Sequence, residues 1–345
     1  MAFEAQRTAI NKSKAEYGAA YRRDISLVFA SSALLLVIIY LFGSLPEALE
    51  WLGGPISRAA GALFSAESDV MLAEYRAFIG SDIFTAAVSL TGCAVSLLLP
   101  FLLIKRFAIR PARGYFPFAA RMPKRAFAFF SLAAGVTVAV NYVCTALLSG
   151  LYPKAAPSAA AGPVTTAVTA FITVILAPVG EELLFRGAFC GVLSRYSQGM
   201  AIVVSALTFG AAHRNPPQVI NACVLGAFVA LAYMKTGSLA PCVLIHVVNN
   251  AFSVIMQYTA GYTKGARYYA LLAAETVLFV TAASAAGAAI VLAIMRRRRE
   301  LTLYDDERDP RPRLGAGFFG RAVLGNAFFW IFALIVAAGT WGLYL

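Results

Sequence analysis

The sequence predicts an all-α, polytopic transmembrane helical bundle of about eight or nine spans with its N-terminus in the cytoplasm. Three observations predict it. Of 345 residues, 60% are hydrophobic and only 13% charged, where a soluble domain carries roughly 25% charged residues; mean hydropathy is +0.73. The apolar residues fall into runs that suit spans of about 20 residues each. The basic residues, which give a net charge of +12, gather in alternate segments between those runs. A long soluble enzyme, a disordered chain and a secreted disulfide scaffold are excluded. The five cysteines, Cys93, Cys144, Cys190, Cys223 and Cys242, sit inside apolar runs at spacings that fit neither zinc clusters nor disulfide frameworks. They read as small packing residues.

Nine runs qualify as spans: 25–45, 83–104, 126–149, 165–193, 200–213, 219–234, 239–257, 270–295 and 322–345. The fifth and sixth are short for a hydrocarbon layer of about 30 Å, which implies tilting, breakage or burial in the bundle. Residues 1–24 are polar and basic, and no Ala-x-Ala-like cleavage site follows the first run, so that run reads as a retained helix rather than a signal peptide. With the N-terminus inside, the inner segments hold 22 basic residues and the outer ones 6, the asymmetry expected of a cytoplasmic N-terminus. The Arg296–Arg299 run is then a topology anchor against anionic lipid, not a nucleic-acid patch. The outer segment 46–82 is acidic and contains amphipathic stretches such as Val70–Ile79. The segment 150–164 reads as a Pro/Ala/Ser linker.

Charges at a helix centre cost roughly 2.5–3.5 kcal/mol each on insertion scales, so intramembrane ionisable residues are functional candidates by default. Here they cluster. The fourth run carries Glu181-Glu182 and Arg186, the fifth Phe209 and His213, and the seventh His246, Asn249 and Asn250. Both histidines of the chain belong to this set. Glu182 and Arg186 are i,i+4 and can pair on one helix face, which leaves Glu181 uncommitted. His246 and Asn250 share a face, Asn249 points to the side, and Phe209 lies one turn from His213, placed to wall its ring. At about 1.5 Å per residue the three motifs reach similar depth near mid-membrane, in a cavity that most simply opens to the cytoplasm. A carboxylate, two imidazoles and a carboxamide can activate a water, with Glu181 as general base and His213 on the same water. His246 and Asn250 can donate to the oxyanion. The same groups can instead take a divalent metal such as zinc, through Glu181, His213 and His246. Asn141, Asn221 and Asn326, each alone in a span, read as interhelical hydrogen-bonding residues.

Glu-Glu-x-x-x-Arg, then Phe-x-x-x-His, then His-x-x-x-Asn, in hydrophobic helices and in that order, resembles the CAAX-protease and bacteriocin-processing (CPBP, or Abi) family, which includes the type II CAAX prenyl endopeptidases. The resemblance covers about 164–257. It implies an intramembrane endopeptidase with Glu181 as catalytic glutamate, His213 as its partner on the water, His246 and Asn250 as the oxyanion site, and Glu182 with Arg186 as a supporting pair. Members have been described both as metalloproteases and as glutamate-dependent proteases, so a metal stays open.

The implied organisation is a basic cytoplasmic N-terminus (1–24), N-terminal transmembrane helices (25–163), a CPBP-like catalytic core (164–257) and C-terminal transmembrane helices (258–345) with a basic cytoplasmic loop at 296–321. The implied partners are the lipid bilayer and a membrane-embedded, lipidated or leader-type peptide. No His-Glu-x-x-His, intramembrane aspartate or Gly-x-Ser-Gly is present to support another intramembrane protease chemistry. The competing class is a non-proteolytic immunity or regulatory scaffold, or a transporter, on the same fold. Transporters often carry inverted repeats, and none is visible here.

Overall fold

Apolar residues run almost unbroken from Ile25 to Leu41, and helix α1 (Ala2–Phe64) carries them as one rod. The structure, a computed structural model, describes residues 2–64, 67–108, 135–139, 162–213, 216–262 and 314–341. α1 does not stop at residue 45 but continues through Pro46 and Pro55. An interior proline removes one backbone hydrogen bond and usually kinks or breaks a helix; here helix-favouring Leu, Ala and Glu side chains surround Pro46 and the rod persists. The outer segment expected as a loop is therefore a helical hairpin. Its second arm, α2 (Ser68–Ile79), buries no residue of its own. Tyr75 donates to the Leu49 carbonyl at 2.9 Å and Arg76 Nε to Glu50 Oε1 at 2.8 Å. Gly53 leaves room for the Tyr75 ring, which a Cβ there would meet at 3.0 Å.

Helix α3 (Asp82–Phe107) starts on Ser81, whose hydroxyl accepts from the Phe84 amide. It packs antiparallel along α1, closely enough that a Cβ on Gly92 would lie 3.0 Å from Phe42. Asp82 then fixes the next element. Its carboxylate accepts from the amides of Val164 (2.7 Å) and Thr165 (2.8 Å), two donors that a helix start leaves without intrahelical partners. The helix so anchored is α4, Pro163–Leu193, 31 residues long. It is not uniform: Ile172–Leu176 and Leu183–Cys190 are π-helical, and the Glu181-Glu182 pair sits between these wide turns.

At its far end α4 meets the start of α1. Tyr196 donates to Asp24 Oδ2 at 2.9 Å, Arg23 pairs with Asp24 Oδ1 at 3.1 Å, and Tyr17 donates to the Arg195 carbonyl. The Tyr21 ring packs edge-on against Tyr196 and Phe319. Burial, together with the Asp24 carboxylate, pushes the Tyr196 phenol above its ordinary pKa. Phe319 belongs to the later helix Ala316–Leu324, so one knot of rings ties three parts of the chain.

Helices α5 (Gln198–Ala211), α6 (Pro216–Thr236) and α7 (Ala240–Tyr262) complete the core. α5 starts on Ser197, which accepts from the Met200 amide at 3.3 Å. The turn between α6 and α7 uses Gly237 at φ 65°, a left-handed conformation that glycine adopts without steric cost. α5 and α6 touch at Gly210, where a Cβ would fall 2.2 Å from Cys223 Sγ, 3.0 Å from the Val219 carbonyl oxygen and 3.1 Å from the Cys223 amide. Gly210→Ala is expected to destabilise by about 1–3 kcal/mol, the usual cost of overpacking. Thermal unfolding in detergent checks this, and adding Cys223→Ala should restore only part of the loss because the backbone contacts remain.

The last expected span, 322–345, is broken. α8 (Ala316–Leu324) and α9 (Ala327–Trp341) meet at a 64° bend. Gly325 ends α8, and the Asn326 side chain accepts from the amides of Phe328 (2.9 Å) and Phe329 (3.3 Å), starting α9. Its amide nitrogen also donates to Ser26 Oγ at 2.7 Å, so Asn326 caps one helix and ties it to another.

No strand occurs among the described residues. Three helices are long and apolar enough to cross a membrane (Ser13–Leu63, Asp82–Phe107 and Pro163–Leu193), or four if α8 and α9 form one broken span; α5, α6 and α7 yield shorter apolar stretches. The described residues are thus all-helical, with three to four membrane-capable helices among them; they do not test the full count of eight or nine spans. Most of the span expected at 126–149, all of that at 270–295, nearly all of the linker 150–164, and most of the basic loop 296–321 lie outside the described residues.

Candidate active site

Each polar motif enters the bundle on its own helix. Glu182, on α4, is wholly buried together with Arg186 one turn on, and Arg186 Nη1 donates to Glu182 Oε1 at 3.0 Å. The i,i+4 spacing produces this pair, as expected. Two further contacts complete the guanidinium's surroundings: Nη2 donates to the Gly226 carbonyl on α6 at 3.1 Å, and the group lies 4.6 Å from the centroid of the Phe209 ring. A cation over an aromatic face is favourable where water is excluded, and the arrangement keeps α4, α5 and α6 in register. The close approach depends on Gly226, where a Cβ would lie 3.3 Å from Arg186 Nη2 and 3.1 Å from Phe209.

His246, on α7, is 1% exposed and bridges the two glutamates. Its Nδ1 lies 2.8 Å from Glu182 Oε1 and its Nε2 3.6 Å from Glu181 Oε2. A nitrogen that close to a carboxylate carries its proton toward it, so Nδ1–H donates and the ring is held by a residue that Arg186 itself holds. Glu181 is different: its side chain is 22% exposed and reaches a cavity. His213, at the end of α5, faces the same cavity, with its Nδ1 3.0 Å from the Phe209 carbonyl oxygen. Donation from Nδ1 leaves Nε2 with its lone pair available to a ligand. Phe209 stands between the histidines, edge-on to His213 at 5.1 Å and to His246 at 5.4 Å between ring centroids. The wall expected for one imidazole serves both.

The cavity holds about 440 Å³. Leu35, Ile39, Phe42 and Pro46 of α1 form one side, and Thr85, Ser89, Gly92, Cys93, Ser96 and Leu97 of α3 another; Glu181, Phe209 and His213 close it. Two of the four residues the sequence selected as catalytic, His246 and Asn250, are not on its lining. His246 stands behind Glu181. Asn250 donates from Nδ2 to the Thr173 carbonyl in the first wide turn of α4 at 2.9 Å, and Asn249, 3% exposed, donates to Asn250 Oδ1 at 3.3 Å. Sequence reasoning missed the α1 and α3 walls and Gly226. The spacing of Thr85, Ser89, Gly92 and Ser96 on one face of an apolar helix was an available signal for α3; nothing in the sequence marks the Gly226 carbonyl.

The metal alternative finds no support in this geometry. Among the described residues no group of three or more His, Cys, Asp or Glu side chains is arranged to hold a metal ion, and Glu181, His213 and His246 do not form one. The reason is the Phe209 ring, which separates the two imidazoles, together with the capture of His246 by Glu182. The set does not fit a metal, and the metalloprotease description is not supported.

Comparison with known proteins bears on this same stretch. Residues 163–252 match the family model described as type II CAAX prenyl endopeptidase Rce1-like. The membrane-embedded CAAX protease MroQ of Staphylococcus aureus (strain USA300) is 34% identical over 94 residues, which cover 25% of this chain and 38% of that protein. The match thus spans well under half of that curated relative's length. No solved structure matches. All the motif residues described above lie inside the matched segment, and over residues 163–252 this chain is similar to the type II CAAX prenyl endopeptidases of the CAAX-protease (CPBP) family.

Proposed function

We propose that this protein is a multi-pass intramembrane endopeptidase that hydrolyses a peptide bond in a membrane-embedded, lipidated or leader-type substrate. The observation that carries the reading is the convergence of Glu181 and His213, from two helices, on one cavity, within the segment that matches the family. Residues 164–257 form the catalytic unit and the flanking helices build its surroundings.

In this reading a water bound in the cavity donates one hydrogen bond to Glu181 and one to His213 Nε2. As the water oxygen attacks the scissile carbonyl carbon, Glu181 takes its proton and the carbonyl oxygen becomes an oxyanion. Collapse of that intermediate breaks the C–N bond, and Glu181 returns the proton to the departing amine. His246 and Asn250 are the oxyanion residues that the family resemblance assigns. Their present hydrogen bonds, to Glu182 and to Thr173, hold them at the back of the site, and the Asn250 amide must turn from the Thr173 carbonyl to serve. Donors to a developing oxyanion typically contribute on the order of 10²–10³ in rate.

A mass-spectrometric survey of protein termini in host membranes tests the proposal, with wild type and Glu181→Gln expressed at matched levels. Termini found only with wild type are the expected result, and they identify the substrate. Identical termini, under conditions where the wild-type protein has a phenotype, would favour the non-proteolytic scaffold or transporter.

A further inference from the structure

A proline inside a membrane helix deprives a carbonyl of its donor, and a neighbouring helix must then supply one because lipid cannot. On α4 that proline is Pro178, buried three residues before Glu181. In a regular helix the Thr173 carbonyl would accept from residue 177 in an α-turn, or from residue 178 in a π-turn. The Ala177 amide is already engaged, since the wide turn Ile172–Leu176 directs it to the Ile172 carbonyl. Residue 178, as proline, has no N–H to give. A wide turn and a proline thus combine to leave Thr173 without a helical donor. The Asn250 side chain of α7 provides it, donating from Nδ2 at 2.9 Å.

The same face of α7 holds α4 at a second point. His246, one turn before Asn250, pairs through Nδ1 with Glu182 Oε1 at 2.8 Å. Between the two holds lies Ala177–Glu182, a six-residue α-helical piece with a wide turn on either side. Glu181 is carried on that piece. Because its flanks are not regular α-helix, the bonds from α7 help to fix how the piece is rotated. Asn249 orients the nearer hold. It is 3% exposed and donates from Nδ2 to Asn250 Oδ1 at 3.3 Å, which keeps the oxygen of that amide toward Asn249 and its nitrogen toward Thr173. Asn249 Oδ1 has no hydrogen-bond partner among the described residues, so the donor is what this side chain contributes.

We propose that Asn250 and Asn249 are positioning residues for Glu181: Asn250 completes the hydrogen bonding that Pro178 denies to α4, and Asn249 orients the Asn250 amide for it. When Asn250 turns toward an oxyanion, the role the family resemblance implies, the Thr173 carbonyl is released, so the two duties alternate. What the aim of Glu181 achieves rests on the peptidase reading. The bond to Thr173 and its dependence on Pro178 are measurable without turnover.

Amide hydrogen exchange of the full chain in detergent, read by mass spectrometry on peptides covering 174–182, tests it. Asn250→Ala is expected to speed exchange there roughly tenfold, the ratio that corresponds to losing one hydrogen bond to a buried acceptor. In a Pro178→Ala background, which restores the amide at 178, the same substitution should add nothing in these peptides. Equal acceleration in both backgrounds, or none with Pro178 in place, overturns the proposal. If Pro178→Ala does not fold, the location of the effect decides: acceleration confined to 174–182 supports the proposal, and equal acceleration through α5 and α6 overturns it. Asn249→Leu should speed exchange in the same peptides by a smaller factor, and unchanged exchange overturns the part given to Asn249. The pattern should be the same in a Glu181→Gln background, so failure of the peptidase reading is distinguished from failure of this one. Where cleavage is measurable, Asn249→Leu should lower kcat per folded molecule at unchanged KM, whereas a merely structural residue would change only the amount of folded protein.

Discussion

Glu181→Gln is expected to lower peptide-bond cleavage by about 10²–10⁴-fold, the usual contribution of a positioned general base, while leaving thermal unfolding in detergent nearly unchanged. The carboxamide keeps the size of the side chain but cannot take a proton from water. Little structure depends on the charge. The side chain is partly exposed in the cavity, and the nearest cation-forming group is His246 Nε2 at 3.6 Å, beyond a good hydrogen bond. Activity and stability should therefore separate at this position. A variant that loses both together would make Glu181 a structural residue, and full activity in the variant would remove it from the mechanism.

At Arg186→Ala the opposite is expected: loss of the fold, by about 3–5 kcal/mol, the scale for deleting one partner of a buried ion pair. Glu182 has no exposure and its Oε2 has no hydrogen-bond partner, so the guanidinium is the charge that makes the carboxylate tolerable there. The substitution also strips the Phe209 ring of its cation and the Gly226 carbonyl of its donor. The yield of monodisperse protein on size exclusion, and its melting temperature, check this. Glu182→Gln should be milder because the amide oxygen can still accept from His246 Nδ1. Combining Arg186→Met with Glu182→Gln should recover part of the loss of Arg186→Ala, since no uncompensated charge then remains buried. A well-folded Arg186→Ala protein would show that the pair is not needed to hold the three helices together.

The contrast between these adjacent glutamates was readable from spacing alone. An i,i+4 rule operates within one helix, where geometry is fixed locally, so the Glu182–Arg186 pair and the Phe209–His213 neighbourhood both follow from the sequence. What lies between helices does not. That His246 approaches Glu182 more closely than Glu181 depends on how α7 packs on α4. The cavity walls on α1 and α3 carry no charge or motif and belong to a stretch outside the family match. The course of α1 through Pro46 and Pro55 was hidden because proline is a strong local signal to stop, and surrounding helix formers outweighed it. Gly325-Asn326 carried a legible helix stop and start that hydropathy across 322–345 concealed.

The wide turns of α4 give that helix a phase. Each residue of an α-helix advances about 100° around the axis, and a π-turn accommodates an extra residue without moving the ends. The first such turn lies between the Asp82 anchor and Glu181. The direction in which Glu181 points therefore depends on how many residues separate it from Pro163 more than on which residues they are. Substitutions within Ile172–Leu176 leave the carboxylate aimed at the cavity, and removing a single residue there closes the wide turn to an α-turn with the same result, whereas inserting a further residue swings it by roughly a quarter turn toward another face.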